Sequence, residues 1–241
     1  MKDYRKSHLG EKSRIYVEEV YRKGTYDDAI WQIEKEILKY EAEKLAGRNA
    51  NIAYLDFGCG GGRVLEFLED YAAGAVGVDV SPEMIEYAKT RVKKAELLAA
   101  DLTEEDALQG QMFNLITAFR VFLNAGPELS DTMMAILVPK LAPGGIFIFN
   151  FHGNILSYRL FTKLWFFLKG RRLNTISYWG ALRFARAHGL TPVRIYGAGI
   201  MPKIFYRLVS YRIMFKLDSL FAKIPFTRYI SNNLILVCER A

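Results

Sequence analysis

The sequence predicts an α/β fold: a doubly wound, mostly parallel sheet with helices on both faces, in one domain that carries helical insertions in its C-terminal third. Three observations carry that prediction. Short apolar runs alternate with segments of helical period across residues 52–150. The first run passes through a glycine-rich turn, LDFGCGGGR at residues 55–63, into a helical segment, the kind of junction at which doubly wound sheets bind ligands. The chain has 241 residues and is 51% hydrophobic, which suits one full-sized core. No internal repeat, low-complexity tract or flexible linker marks a second domain within 1–241.

The elements follow in order. Asp27 to Ala46 reads as a helix: Asp27 or Asp28 caps it, Ile30, Ile33, Ile37 and Tyr40 recur at helical spacing, and Gly47 stops it. Residues 1–48 are thereby expected to form an N-terminal helical lid. Strands are expected at Ile52–Phe57, Ala75–Asp79, Glu96–Ala100, Phe113–Phe119 and Ile146–Asn150. Helices fall between them at Gly62–Asp70, from Ser81 and Pro82 onward, and near Asp131–Leu141, so that residues 52–150 make the binding core. A helix at Ser177–His188, a strand at Pro192–Tyr196 and a closing strand in LILVCER complete the pattern. Residues 153–174 and 200–233 exceed ordinary connection lengths. They are candidate substrate-side insertions, with thickening of the outer helical layer as the other reading.

Charge is unevenly spread. Residues 1–150 hold 18 Lys plus Arg against 24 Asp plus Glu, a net of −6, and residues 151–241 hold 15 against 2, a net of +13, which together give +7. The basic part also has 17 of the 33 aromatic residues, interleaved with cations as in YRLFTKLWFFLKGRR. Such a surface attracts an anionic partner and offers it flat apolar faces; the same composition also suits the solvated side of amphipathic helices, whose cationic stems cover apolar surface. Cys59 and Cys238 lie too far apart to suggest a disulfide framework or zinc spacing. The polar opening lacks a secretory core and no apolar run approaches membrane-spanning length, so a cytoplasmic protein is expected, with contact at the inner membrane face left open.

Gly58, Gly60 and Gly62 give Gly-x-Gly-x-Gly, whereas the dinucleotide fingerprint places its third glycine one position later, where Arg63 stands. An arginine there would obstruct the close helix–strand packing that a pyrophosphate site uses, which disfavours a nicotinamide oxidoreductase. Asp79 closes the second strand about 20 residues beyond the turn, where a carboxylate accepts hydrogen bonds from ribose hydroxyls. A nucleoside without a pyrophosphate is the expected ligand.

At LDFGCGGGR, VGVDVSPEMIEYAK, LLAADL and LAPGGIFIF the sequence resembles the class I S-adenosylmethionine-dependent methyltransferases, with the motifs in the family's order over residues 52–150. The resemblance implies a seven-stranded Rossmann-like sheet that ends in an antiparallel pair. It also implies S-adenosylmethionine as cofactor and S-adenosylhomocysteine as product. The turn at Asp56, Gly58, Cys59, Gly60 and Gly62 would hold the methionine portion, with Cys59 a small residue fitted to the bend. Asp79 and Val80 would hold the ribose, Met84 would pack on adenine, and Asp101 with Leu102 would meet the adenine edge. Phe119 and Arg120 would line the sulfonium and the acceptor. Structural duties compete with these roles: Asp79 or Asp101 can cap a turn, and Met84 can fill the core.

The chemistry so implied is methyl transfer by in-line displacement, for which the protein supplies alignment and, where needed, a base. His152, in IFIFNFHGN after the fifth strand, is the candidate base, as an imidazole of near-neutral pKa with Asn150 and Asn154 positioning the acceptor. The competing duty is a histidine bonded to a loop carbonyl. TAFRVFLNAGPEL and FNFHGN further resemble a bacterial group of methyltransferases associated with surface-carbohydrate assembly. That points to O-methylation of a sugar, a glycolipid precursor or a related small acceptor, anionic or lipid-linked. An RNA methyltransferase and a non-catalytic nucleoside-binding protein of the same fold are the alternatives. Nucleic acid is the less expected partner because TAFRVF replaces the Asn-Pro-Pro-Tyr-like element after the fourth strand.

Overall fold

The computed structural model describes residues 20–171 and 173–241. Helix α1 spans Tyr26–Ala46. Thr25, rather than either aspartate, is its N-cap: its hydroxyl accepts from Asp28 N, and Asp28 Oδ2 accepts in return from Gly24 N at 2.9 Å. The Thr25 hydroxyl thus satisfies a donor the first helical turn leaves open, and Asp28 fastens the chain that enters the helix. Then come β1 (Ala53–Phe57), α2 (Arg63–Leu68), β2 (Gly74–Asp79), α3 (Pro82–Lys89), β3 (Glu96–Ala99) and β4 (Phe113–Ala118). α4 (Phe122–Ala125) and α5 (Pro127–Leu137) lead to β5 (Leu141–Phe151). The last third holds α6 (Arg159–Leu168), α7 (Tyr178–Ala187), β6 (Leu190–Ala198), α8 (Phe205–Leu208), α9 (Tyr211–Ala222) and β7 (Asn233–Arg240).

The strands form one seven-stranded sheet in the order β3-β2-β1-β4-β5-β7-β6. β1 to β5 pair in parallel, and β7 is antiparallel to both β5 and β6. Parallel strands need helical crossovers, which cover both faces and demand apolar side chains on each. Two large cores result, one around Phe122, Phe147 and Phe149 and one around Leu38, Tyr54 and Leu65. The strand order reverses between β1 and β4, and ligands of such sheets bind at that switch point beyond the strands' carboxyl ends.

α1 is packed as a core helix, with Ala29, Glu34, Leu38 and Glu41 fully buried. Its first turn reaches the carboxyl edge of the sheet, where Asp27 pairs with Arg120 at 3.1 Å and with Lys203 at 2.7 Å. The expected lid also included residues 1–19, which lie outside the described residues. The two insertions differ in kind. Residues 200–233 contain α9, which packs on β6 and α1 around Met214 and the buried Asp218 and thickens the outer layer there. Residues 153–174 contain α6, none of whose residues is buried.

Candidate active site

The glycine turn begins with a backbone crossing from β1 to β2: Gly58 N and Cys59 N both donate to Val78 O, at 2.8 and 3.0 Å. Gly58, Gly60 and Gly62 all take positive φ, at 67°, 53° and 78°, a region that costs other residues energy. Their surroundings separate them. A Cβ on Gly58 would lie 2.7 Å from Val121, and one on Gly62 would meet Val92 at 2.9 Å and Ala88 at 3.1 Å, whereas one on Gly60 would meet nothing within 4 Å. Gly60 faces open space and Gly62 faces α3. Gly62 therefore serves close packing of the turn and is not among the residues that line the cavity.

Above the turn is a cavity of about 230 Å³. Of the residues expected at the site, Gly58, Gly60, Asp79, Val80, Met84, Asp101, Leu102, Phe119, Arg120 and His152 all line it. Ser81, Asn124 and Met133 line it too and were not anticipated. Ser81 has a visible N-cap role, and nothing in the local pattern separates Asn124 or Met133 from ordinary helix residues.

Asp79 accepts from Gly60 N at 2.8 Å on one oxygen and from Ser81 N at 2.9 Å on the other. Its carboxylate thus ties the glycine turn to the start of α3 while facing the cavity. Ser81 caps α3 by accepting from Met84 N at 3.3 Å, which brings the Met84 side chain against the wall. Asp101 Oδ1 accepts from both the amide and the hydroxyl of Thr103, at 2.9 and 2.6 Å, so the capping duty and the position at the wall coexist.

Asp56 and Cys59 line a smaller recess under the turn that shares Gly58, Gly60 and Phe119 with the main cavity. Tyr54, Thr117 and Asp56 form a buried relay: the Tyr54 and Thr117 hydroxyls lie 2.8 Å apart, and Thr117 donates to Asp56 Oδ1 at 2.6 Å. Asp56 Oδ2 is buried with no hydrogen-bond partner. Burial lifts the Asp56 carboxyl to about pKa 7, against the lowering influence of the Thr117 hydroxyl and Arg63. An orphaned acceptor of this sort is costly unless a donor arrives. Burial likewise holds the Cys59 thiol well above its usual range, consistent with a small packed residue and not a nucleophile.

Arg63 also lines that recess and reaches across to α1. Its guanidinium lies 4.1 Å from the Tyr21 ring centre and 4.0 Å from that of Trp31, and it pairs with Glu34 at 3.3 Å. It fastens α2 to α1.

At the other end, Arg120 sits at φ 62°, the one positive value outside glycine among the described residues. Asn150 holds it there: Asn150 Oδ1 accepts from Arg120 N at 2.6 Å, while its Nδ2 donates to Asn233 Oδ1 at 2.9 Å and to Glu34 Oε1 at 3.3 Å. Asn150 is 0% exposed and does not line the cavity. Its amide is engaged in fixing the Arg120 backbone and in bonds to Asn233 and Glu34. Asn154 is likewise spent on the carbonyls of Tyr229 and Ser231.

His152 lines the cavity, with Nδ1 buried and unpartnered. Its pKa departs from the near-neutral expectation. Burial first, and then the charges of Arg120 and Arg159, lower it to about 3. The imidazole is therefore uncharged at physiological pH, a hydrogen-bond acceptor of low basicity. Among the described residues there is no cluster of potential ligands for a metal ion.

Residues 55–149 match a family described as a methyltransferase domain. Cyclopropane-fatty-acyl-phospholipid synthase of Escherichia coli strain K12 is 29% identical over 118 residues, which cover 48% of this chain and 30% of that enzyme. The matched region is thus under a third of that curated relative. Among solved structures, magnesium protoporphyrin IX methyltransferase from Synechocystis PCC 6803, with bound S-adenosylhomocysteine, superposes with a TM-score of 0.65 at 15% identity, covering 97% of this chain and 96% of that one. The N-methyltransferase NodS from Bradyrhizobium japonicum, also with S-adenosylhomocysteine, gives 0.54 at 17% identity over 86% and 87%. These likenesses establish the fold. The domain match, the glycine turn and the strand order together mark residues 55–149 as a methyltransferase domain, set in a fold shared with S-adenosylmethionine-dependent enzymes.

Proposed function

We propose that this protein transfers the methyl group of S-adenosylmethionine to an oxygen of a small acceptor, a sugar or glycolipid precursor being the class that suits its basic, aromatic C-terminal third. One observation carries the proposal. The glycine turn, the Asp79 carboxylate and the group formed by Phe119, Arg120 and His152 share one cavity, so a nucleoside end and a reacting end have a common site.

The residues present fit the cofactor. Gly60 leaves open space where a side chain would stand, Asp79 carries acceptor oxygens at the wall, and the orphaned Asp56 Oδ2 matches an ammonium donor. On this reading Asp56 with the Gly58–Gly60 backbone holds the amino-acid portion, Asp79 the ribose diol, and Met84, Asp101 and Leu102 the adenine. S-adenosylmethionine supplies a methyl carbon made electrophilic by its sulfonium.

The chain's own contribution is alignment and field. A neutral His152 incurs no like-charge repulsion from a sulfonium, and its free Nδ1 can accept a hydrogen bond from an acceptor hydroxyl and orient the oxygen. A group with so low a pKa is a poor proton sink at neutral pH, so orientation outweighs deprotonation in its role. Arg120, fixed by Asn150 and Asp27, gives the same end a cation for an anionic acceptor.

Calorimetry on Asp79→Ala tests the site. Loss of the carboxylate should weaken S-adenosylmethionine binding by about 1–3 kcal/mol, and unchanged affinity would remove Asp79 from the cofactor site. Incubation with methyl-labelled cofactor and fractionated extract then identifies the acceptor. Label appearing in nucleic acid alone would overturn the small-acceptor reading.

A further inference from the structure

We infer that α6 is a docking element for an anionic lipid bilayer, which the protein approaches with the mouth of its cavity. The inference deepens the proposed function by saying where the acceptor is met, and it rests on the exposed face of one helix. Leu160, Phe161, Leu164, Trp165 and Leu168 recur at i, i+1, i+4, i+5 and i+8, one stripe of a 3.6-residue helix. The stripe faces solvent: Phe161 is 76% exposed and Leu168 73%, and Phe167 beside them is 74% exposed. A contiguous apolar face of this size is unusual on a monomer and marks a contact surface.

Three features select a bilayer as the occupant. The stripe combines an indole with phenyl and leucine side chains, the set that favours the boundary between headgroups and acyl chains. Cations flank it: Lys163 beside Thr175, and Lys169 4.2 Å over the Trp165 ring. The C-terminal third supplies few acids to oppose them. Residues 151–241 contain 15 Lys and Arg against 2 acids, of which Asp218 is buried on the Ile200 and Met201 amides and the Tyr206 hydroxyl, and Glu239 pairs with Arg48. A basic, apolar face complements phosphate headgroups.

The placement connects this face to the site. β5 ends at the cavity with His152, and the following turn is pinned by Asn154 to the chain before β7. Arg159, at the base of α6, donates to Asn232 Oδ1 at 3.0 Å. The helix thus leaves the sheet at the edge where the cavity opens. Among the described residues no helix is long and apolar enough to cross a membrane, so the contact is peripheral.

The test is flotation of the full chain with vesicles of phosphatidylcholine, with and without phosphatidylglycerol. Wild type should float with the phosphatidylglycerol vesicles and be released by salt, and Phe161→Ser with Trp165→Ser should weaken binding about tenfold or more. Cofactor affinity by calorimetry should stay unchanged in that variant, which separates failure of docking from failure of the cofactor site. Quenching of wild-type tryptophan fluorescence by brominated lipid, abolished in Trp165→Phe, gives a readout that does not rely on the double variant folding. Wild type remaining unbound at low salt overturns the inference, as does a double variant that floats equally well. A wild-type dimer that the double variant converts to monomer also overturns it, because a second copy then covers the face.

Discussion

Asp56 offers the sharpest test of how the cofactor is held. Its carboxylate is buried, Thr117 satisfies one oxygen, and the other has no partner. A carboxyl raised to about pKa 7 is mostly protonated at pH 5.5 and half ionised at pH 7, and the ionised fraction changes about fifteenfold across that interval. If the ionised form receives the cofactor's ammonium, affinity for S-adenosylmethionine should rise about fifteenfold from pH 5.5 to pH 7, close to 1.6 kcal/mol. That range lies below the titration of an α-amino group, so the ligand keeps its charge throughout. Binding should release a proton, seen in calorimetry as a heat that varies with the buffer's ionisation enthalpy. Asp56→Asn retains the shape and an acceptor for the Thr117 hydroxyl but carries no titrating charge. It should bind more weakly at pH 7, by about 1.5–3 kcal/mol for a lost charged hydrogen bond, with a flat pH profile. A wild-type affinity that does not change with pH, or an Asn variant that keeps the slope, refutes the assignment.

The glycines and the polar groups near Arg120 separate in the same experimental terms. Gly62→Ala should destabilise the fold by about 1–3 kcal/mol, because positive φ and the Val92 and Ala88 contacts both oppose a methyl group; Gly60→Ala, with open space around it, should cost less in melting temperature and more in cofactor affinity. Asn150→Leu should lower stability by about 2 kcal/mol or more, since it strands the Arg120 amide and Asn233 Oδ1 and takes one of its donors from Glu34, and unfolding by denaturant measures the loss. His152 has a folded pKa of about 3 against 6.5 unfolded, so the unfolded chain takes up the proton first and stability falls as pH drops from about 6.5 towards 3. His152→Asn should remove up to about 2 kcal/mol of that fall by pH 5. Asp56 has the opposite sign, stabilising below about pH 4 and losing that contribution as pH rises through about 7, so variant and wild type are compared at each pH.

The alternating sheet, the glycine turn and the place of Asp79 at the end of the second strand are legible in local period and spacing. Apolar runs of strand length, Ser81-Pro82 at a helix start and a carboxylate about 20 residues past the turn are readable without tertiary context. Thr25 as the cap of α1 is also a local feature, although Asp27 and Asp28 beside it are equally good capping residues by type. What the tertiary structure alone decided is which polar groups are spent and which remain available. Asn150 and His152 lie two positions apart on β5 and its end, and both suit an active site by type. Asn150 points into the layer where Arg120, Glu34 and Asn233 consume its amide, and His152 points into the cavity, where burial and two arginines keep it uncharged. Nor does spacing reveal that Gly62 is packed against α3 while Gly60 is open, or that α6 leaves its aromatic stripe uncovered while α9 buries part of its own. Hydrogen-bond partners and burial are set by residues tens or hundreds of positions away, so they exist only once the chain has closed on itself.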